Sequence, residues 1–130
     1  MTDDKGATAS AQQNVTVAGL PECSGADTRQ LDKNCRRSNL SAATGNYAHF
    51  YLYLPAGVKQ LKLTSTGGTG NADLYYNATN WAYTNSYTAK STNASNNTET
   101  LTITNPPAGY VFLSLYGQQA FSGANIKAEY

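Results

Sequence analysis

From Tyr47 onward the side chains alternate with a period of two, and that pattern decides most of what this chain can fold into. Over Ala48–Leu54, Phe50, Leu52 and Leu54 fall on one face and His49, Tyr51 and Tyr53 on the other. Val58–Thr64 sends Leu61 and Leu63 inward and Lys62 outward, and Thr98–Thr104 does the same with Leu101 and Ile103. In Tyr110–Tyr116 the inward set is Val111, Leu113 and Leu115, which leaves Tyr110, Phe112, Ser114 and Tyr116 outside. Ala72–Tyr76 and Ala124–Tyr130 complete the strand-length pieces, and Asn77–Asn97 reads as a short strand flanked by loops. Pro55-Ala56-Gly57, the glycine-rich Ser65–Asn71, Asn105–Gly109 and Gly117–Gly123 are the turns between them. Short half-buried strands at intervals of about ten residues predict an all-β fold, an antiparallel, jelly-roll-like β-sandwich of roughly seven to nine strands.

Composition excludes several alternatives. Gly, Ser, Thr and Asn make up well over a third of the residues, which disfavours a helical bundle. A net charge of +1 offers no field for nucleic acid or an anionic membrane, and no apolar run is long enough to span a bilayer. With 130 residues the chain makes one domain with its own core, expected as a monomer.

The charges are concentrated early, dividing the chain into a leader and a nearly neutral body at 47–130. Residues 1–13 read as a disordered linker, and 14–46 as the rest of the leader, with a strand at Asn14–Ala18. Thr28–Lys33 is short enough to form only a helical turn. Cys23 and Cys35 are expected to pair, which implies an oxidising compartment; two buried free thiols are the other reading. Sequons at Asn14, Asn39, Asn77, Asn93 and Asn96 arise by chance in so Asn- and Thr-rich a chain.

The stretch Phe50–Gly57, followed by Leu63–Tyr76, resembles the bacterial pre-peptidase C-terminal domain, and Glu99–Tyr110, Tyr116-Gly117, Phe121–Gly123 and Ile126–Tyr130 continue the match in the family's order. Within the family the chain looks most like the domain appended to secreted collagenases of the Vibrio type. The resemblance implies a non-catalytic sandwich accessory to a secreted, extracellular collagenase-like metallopeptidase. Its partners would be collagen or gelatin and the parent's catalytic domain. Where the family reads Gly-Asp-Ala-Asp-Leu-Tyr, this chain has Gly70-Asn71-Ala72-Asp73-Leu74-Tyr75, so one carboxylate is neutral. Family members also place a cysteine pair near the loop before the Leu101 strand, whereas this pair lies upstream.

Catalysis has little material here. His49 is the only histidine and sits in a predicted strand, and the body's acids, Asp73, Glu99 and Glu129, fall on separate elements. Asp73 is expected to cap backbone amides of the glycine-rich turn. No cofactor is expected. Calcium, if bound, would draw on Glu22, Asp27, Asp32 and Asn34.

The aromatic residues carry the functional reading. Tyr51, Tyr53, Phe112 and Tyr116, then Tyr75 and Tyr110, are the candidate ligand-binding set, because rings on a rigid, weakly charged sheet pack against prolines while their phenols bond to backbone. Trp81 either anchors ligand at a loop or plugs the end of the sandwich. Two rivals stay open: a folding or secretion module removed after export, which binds nothing, and a carbohydrate-binding module that stacks sugars on the same rings.

Overall fold

A computed structural model describes residues 20–92 and 97–130; the expected linker and the Asn14–Ala18 strand lie outside them. Eight strands follow one another in the described residues: β1 (Gln30–Leu31), β2 (Cys35–Ala42), β3 (Tyr47–Leu54), β4 (Gln60–Thr66), β5 (Thr69–Asn77), β6 (Ala89–Ser91), β7 (Glu99–Thr104) and β8 (Gly109–Glu129). They make the expected sandwich. One sheet runs β1-β3-β8-β5-β6 and the other β2-β8-β4-β7. Every pairing is antiparallel except β1 on β3.

The 21-residue strand β8 belongs to both sheets. Its first half lies between β3 and β5, and its second half lies between β2 and β4. The expected turn at Gly117–Gly123 is therefore strand. The glycines there serve a bend rather than a reversal: the β5 register slips against β8 at Thr69, Asn71 and Ala72, and bulges let a strand swing between sheets while pairing continues. The turn expected at Ser65–Asn71 shrinks to Gly67 and Gly68, both at positive φ.

Period two survives where it was read. Phe50, Leu52, Leu54, Leu61, Leu63, Val111, Leu113 and Leu115 are buried in one continuous core with Leu74, Phe121 and Ile126, while Ile103 is only half-buried. The described part of the leader, residues 20–46, is more ordered than its composition indicates. Thr28–Lys33 is a turn into β1 rather than a helix, and Cys35–Ala42 is an unforeseen strand. Cys23 and Cys35 form a disulfide with their Cα atoms 5.0 Å apart, and both are buried in the core. Arg37 is buried as well. Its guanidinium donates to the carbonyls of Gln30 (2.9 Å), Cys23 (2.9 Å), Gly25 (3.0 Å) and Asp27 (2.9 Å), so one side chain shapes the whole loop between the cysteines and β1.

Candidate functional site

The outward faces of β3, β8 and β5 lie side by side and form a grid set by strand register. Tyr47, Tyr116 and Asp73 make one row, His49, Ser114 and Tyr75 the next, then Tyr51, Phe112 and Asn77, and finally Tyr53 and Tyr110. Alternation puts these residues outside because their neighbours fill the core. Ring contacts run through the grid without a break. Tyr53 meets Tyr110 at 5.2 Å, Tyr110 meets Tyr51 at 6.0 Å, Tyr51 meets Trp81 at 6.3 Å and Trp81 meets His49 at 5.6 Å. His49 stacks on Tyr47 at 5.1 Å, Tyr47 meets Tyr116 at 5.0 Å, and Tyr75 links Tyr116 (6.3 Å) to Tyr87 (5.4 Å).

The middle of this face is not open to solvent as expected. Ser114 is fully buried, because the loop after β5 lies across it and the Ser114 hydroxyl donates to the Ala82 carbonyl at 2.9 Å. A serine in a field of rings leaves a hole, and Ala82, itself fully buried, fills it. The loop is held at both ends. Asn77 Oδ1 accepts from the Thr79 and Asn80 amides, and the Thr84 amide donates to the Tyr47 hydroxyl at 3.1 Å. Trp81 and Tyr83 are thereby set down on the sheet, Trp81 4.9 Å from Phe112 and Tyr83 5.1 Å from His49.

Exposure therefore sorts the candidate set. Tyr53 (54 %) and Tyr110 (56 %) are open at one end, Tyr51, Phe112 and Tyr116 are half-buried, and Tyr75, at 6 %, is covered and corrects the expectation of an exposed ring. Tyr83 and Tyr87, which the alternation left unassigned, are exposed. Tyr51 also has its phenol engaged, donating to Asp27 Oδ2 at 2.8 Å. The Arg29 amide, the Tyr51 hydroxyl and the Arg29 side chain together hold the Asp27 carboxyl down at about 2, and the bond to Asp27 pushes the Tyr51 phenol up. Arg29 lies 6.0 Å over Trp81, and Arg29, His49, Trp81 and Tyr83 line a pocket of about 200 Å³. Burial, then the Arg29 charge, hold the His49 pKa below its usual value, so the imidazole is neutral at pH 7.

Asp73 does not cap the glycine-rich turn. That work falls to Asn97, whose Nδ2 donates to the carbonyls of Gly67 (2.8 Å) and Thr69 (3.0 Å) while its Oδ1 accepts from the Ala72 amide at 2.7 Å. Asp73 is 5 % exposed, its Oδ1 has no hydrogen-bond partner among the described residues, and it borders a cavity of about 340 Å³ with Asn71, Tyr75, Thr92 and Gln118. Burial first, then the charge of Glu99, push its carboxyl up to about 6, against the pull of Lys90. The leader residues weighed for calcium are otherwise occupied. Glu22 pairs with Arg36 at 2.9 Å, Asp27 takes Arg29 and Tyr51, Asp32 accepts from the Lys33 amide, and Asn34 accepts from the Tyr130 amide. Among the described residues no three His, Cys, Asp or Glu side chains converge in a group able to hold a metal.

Comparison with known proteins agrees with this architecture. A relative described as alkaline serine exoprotease A from Vibrio alginolyticus is 28 % identical over 136 residues, covering 100 % of this chain; the chain spans 25 % of that protein's length. A solved structure, the solution structure of vEP C-ter 100, shares the fold with a TM-score of 0.60 and 23 % identity, covering 78 % of this chain and 99 % of that one. The family profile of the bacterial pre-peptidase C-terminal domain matches residues 46–117, from the start of β3 into β8. With more than half its length matched, the chain belongs to the bacterial pre-peptidase C-terminal domain family.

Proposed function

We propose that this domain is a non-catalytic accessory module of a secreted, extracellular protease, and that it tethers the parent's catalytic domain to collagen-like, proline-rich substrate through the aromatic face. One observation carries the reading: an unbroken run of rings ends in two phenols, Tyr53 and Tyr110, that stand open on a rigid sheet. Prolyl rings and aliphatic side chains pack on such surfaces, and polyproline-type strands leave carbonyls free to accept from phenol hydroxyls. From Tyr47 to Tyr53 the face is about 20 Å long at about 3.4 Å per residue, the length of roughly six residues of a polyproline helix. Tethering raises the local concentration of a catalytic domain at an insoluble substrate without any new chemistry.

Co-sedimentation of the domain with insoluble type I collagen, beside gelatin and an insoluble polysaccharide, tests this. Saturable collagen binding is expected, weakened about tenfold or more by Y53A together with Y110A, each ring being worth about 1 kcal/mol at such a surface. Equal binding by the double variant, or absence from every pellet, would sink the collagen reading. Preference for polysaccharide would make the domain a sugar-binding module instead.

A further inference from the structure

Among the described residues the sandwich has an open edge beside the aromatic face. The described strand that pairs with β3 on that side is β1, which reaches Tyr51 and Leu52 and no further. Backbone groups of alternate residues in a strand point to the same side. The Tyr51 amide donates outward to the Arg29 carbonyl at 3.0 Å, and the Tyr53 carbonyl accepts the Tyr130 hydroxyl at 3.4 Å, so odd-numbered residues of β3 address the edge. Tyr47 and His49 therefore aim an N–H and a C=O each away from β8, and no described residue bonds to them there.

In front of these groups lies a cleft of about 580 Å³ between β3 and β2. Two features open it. Asn39, at φ 59°, bulges β2 where its register on β8 shifts between Arg37 and Leu40. The leader chain also turns away at Asp27, whose carbonyl accepts from the Gln30 amide at 3.0 Å, so the row begun by β1 stops at Arg29. Leu40 and Phe50 supply the apolar walls, and Arg29 closes the β1 end.

We propose that this cleft accepts an extended, non-prolyl segment of a protein partner as an added strand along Tyr47–His49, with an acidic side chain of that segment meeting Arg29. Two donors and two acceptors in register, bonded on that side by no described residue, supply the backbone recognition. Charge sets the side-chain preference. Around the cleft Glu22 is paired with Arg36 and Asp27 with Arg29 and the Tyr51 phenol, which leaves the buried Arg37 guanidinium as the excess positive charge; Arg29, whose side chain is 59 % exposed and reaches Asp27 only at 3.4 Å, is the cation placed to meet an incoming acid. A collagen triple helix cannot use this edge, since its strands are polyproline-like and lack an edge to pair. The proposal is thus independent of the collagen reading, whose decisive residues, Tyr53 and Tyr110, lie at the other end of β3.

The test is a titration of the isotope-labelled domain with a blocked hexapeptide that alternates valine with serine and carries one glutamate. Saturable binding is expected, with slowed hydrogen exchange at the Tyr47 and His49 amides. Methylating the peptide nitrogens that face the edge should weaken binding about tenfold, as two hydrogen bonds of about 0.7 kcal/mol each are lost, whereas methylating the opposite set should change it by less than about twofold. R29Q, which leaves the Arg29 carbonyl in place for Tyr51, should weaken binding about threefold. Unchanged exchange at Tyr47 and His49 with saturating peptide, or equal effects of the two methylation patterns, overturns the proposal. So does slow exchange at those amides before peptide is added: it would mean that the chain's own residues outside the described ones hold the edge or, if the slowing grows with protein concentration, a second copy.

Discussion

Asp73 is the residue whose chemistry departs furthest from what its place in the sequence suggested. A carboxylate beside a glycine-rich turn reads as a cap, yet Asp73 sits in β5 with its side chain on the outer face of the sheet, and Asn97, far away in sequence, does the capping. Its pKa of about 6 lies above the 3.8 of the unfolded chain, so between those values the folded state binds the extra proton. The sign follows: ionised Asp73 destabilises the fold fully above pH 6, and the penalty fades as pH falls from 6 toward 3.8. About two pKa units correspond to roughly 3 kcal/mol. D73N should therefore stabilise the domain by up to about that amount at pH 8 and have little effect at pH 4, which paired urea titrations at the two pH values will show. Asp27 has the opposite sign. Held at about 2, it contributes stability above pH 3.8 that is lost as pH falls through 2.

At the scale of elements, the body of the fold was legible because single strands announce themselves by period two, and the faces of β3, β4, β7 and the first half of β8 were read correctly. What could not be read was contact between distant elements. Ser114 looks like any outward strand residue until the Ala82 loop lies on it, and Tyr75 looks exposed until Tyr87 and Tyr116 cover it. β2 is hidden because its burial runs through Cys35 and Arg37 and then, past the bulge at the exposed Asn39, changes phase to Leu40 and Ala42, so no continuous hydrophobic period remains to be read. The glycine cluster Gly67-Gly68-Thr69-Gly70 reads as a turn, but it is a close approach of two backbones. A Cβ on Gly70, at φ 88°, would collide with the Ala120 carbonyl oxygen of β8, while one on Gly57, at φ 89°, would meet nothing. Both substitutions pay for the positive φ, at about 1 kcal/mol, but G70A should cost at least about 2 kcal/mol more than G57A in denaturant midpoints, since backbone has to shift. Equal losses would mean that the β5–β8 approach leaves room for a Cβ at Gly70.

For the whole molecule, the described part of the leader, residues 20–46, is fastened rather than appended. The Cys23–Cys35 bridge and the Arg37 guanidinium fix a loop that supplies β1, Asp27 and Arg29 to the side of the aromatic face. Opening a ring of this size is expected to cost about 3 kcal/mol, so C23S/C35S should melt at a clearly lower temperature; a melting point unchanged within a degree or so would show that Arg37 alone holds the loop. The strand shared by both sheets has a further consequence, for the order of assembly. Four of the other seven strands pair directly with β8, and it comes after all of them in the chain. Neither sheet has its centre until residues 109–129 are present: β1–β3, β4–β7 and β5–β6 can pair before then, but β2, β3, β4 and β5 each keep the edge that β8 will fill exposed while it is synthesised. Folding should be a slow and all-or-none event that follows synthesis of β8, on a timescale of roughly milliseconds to seconds, with that strand as its template.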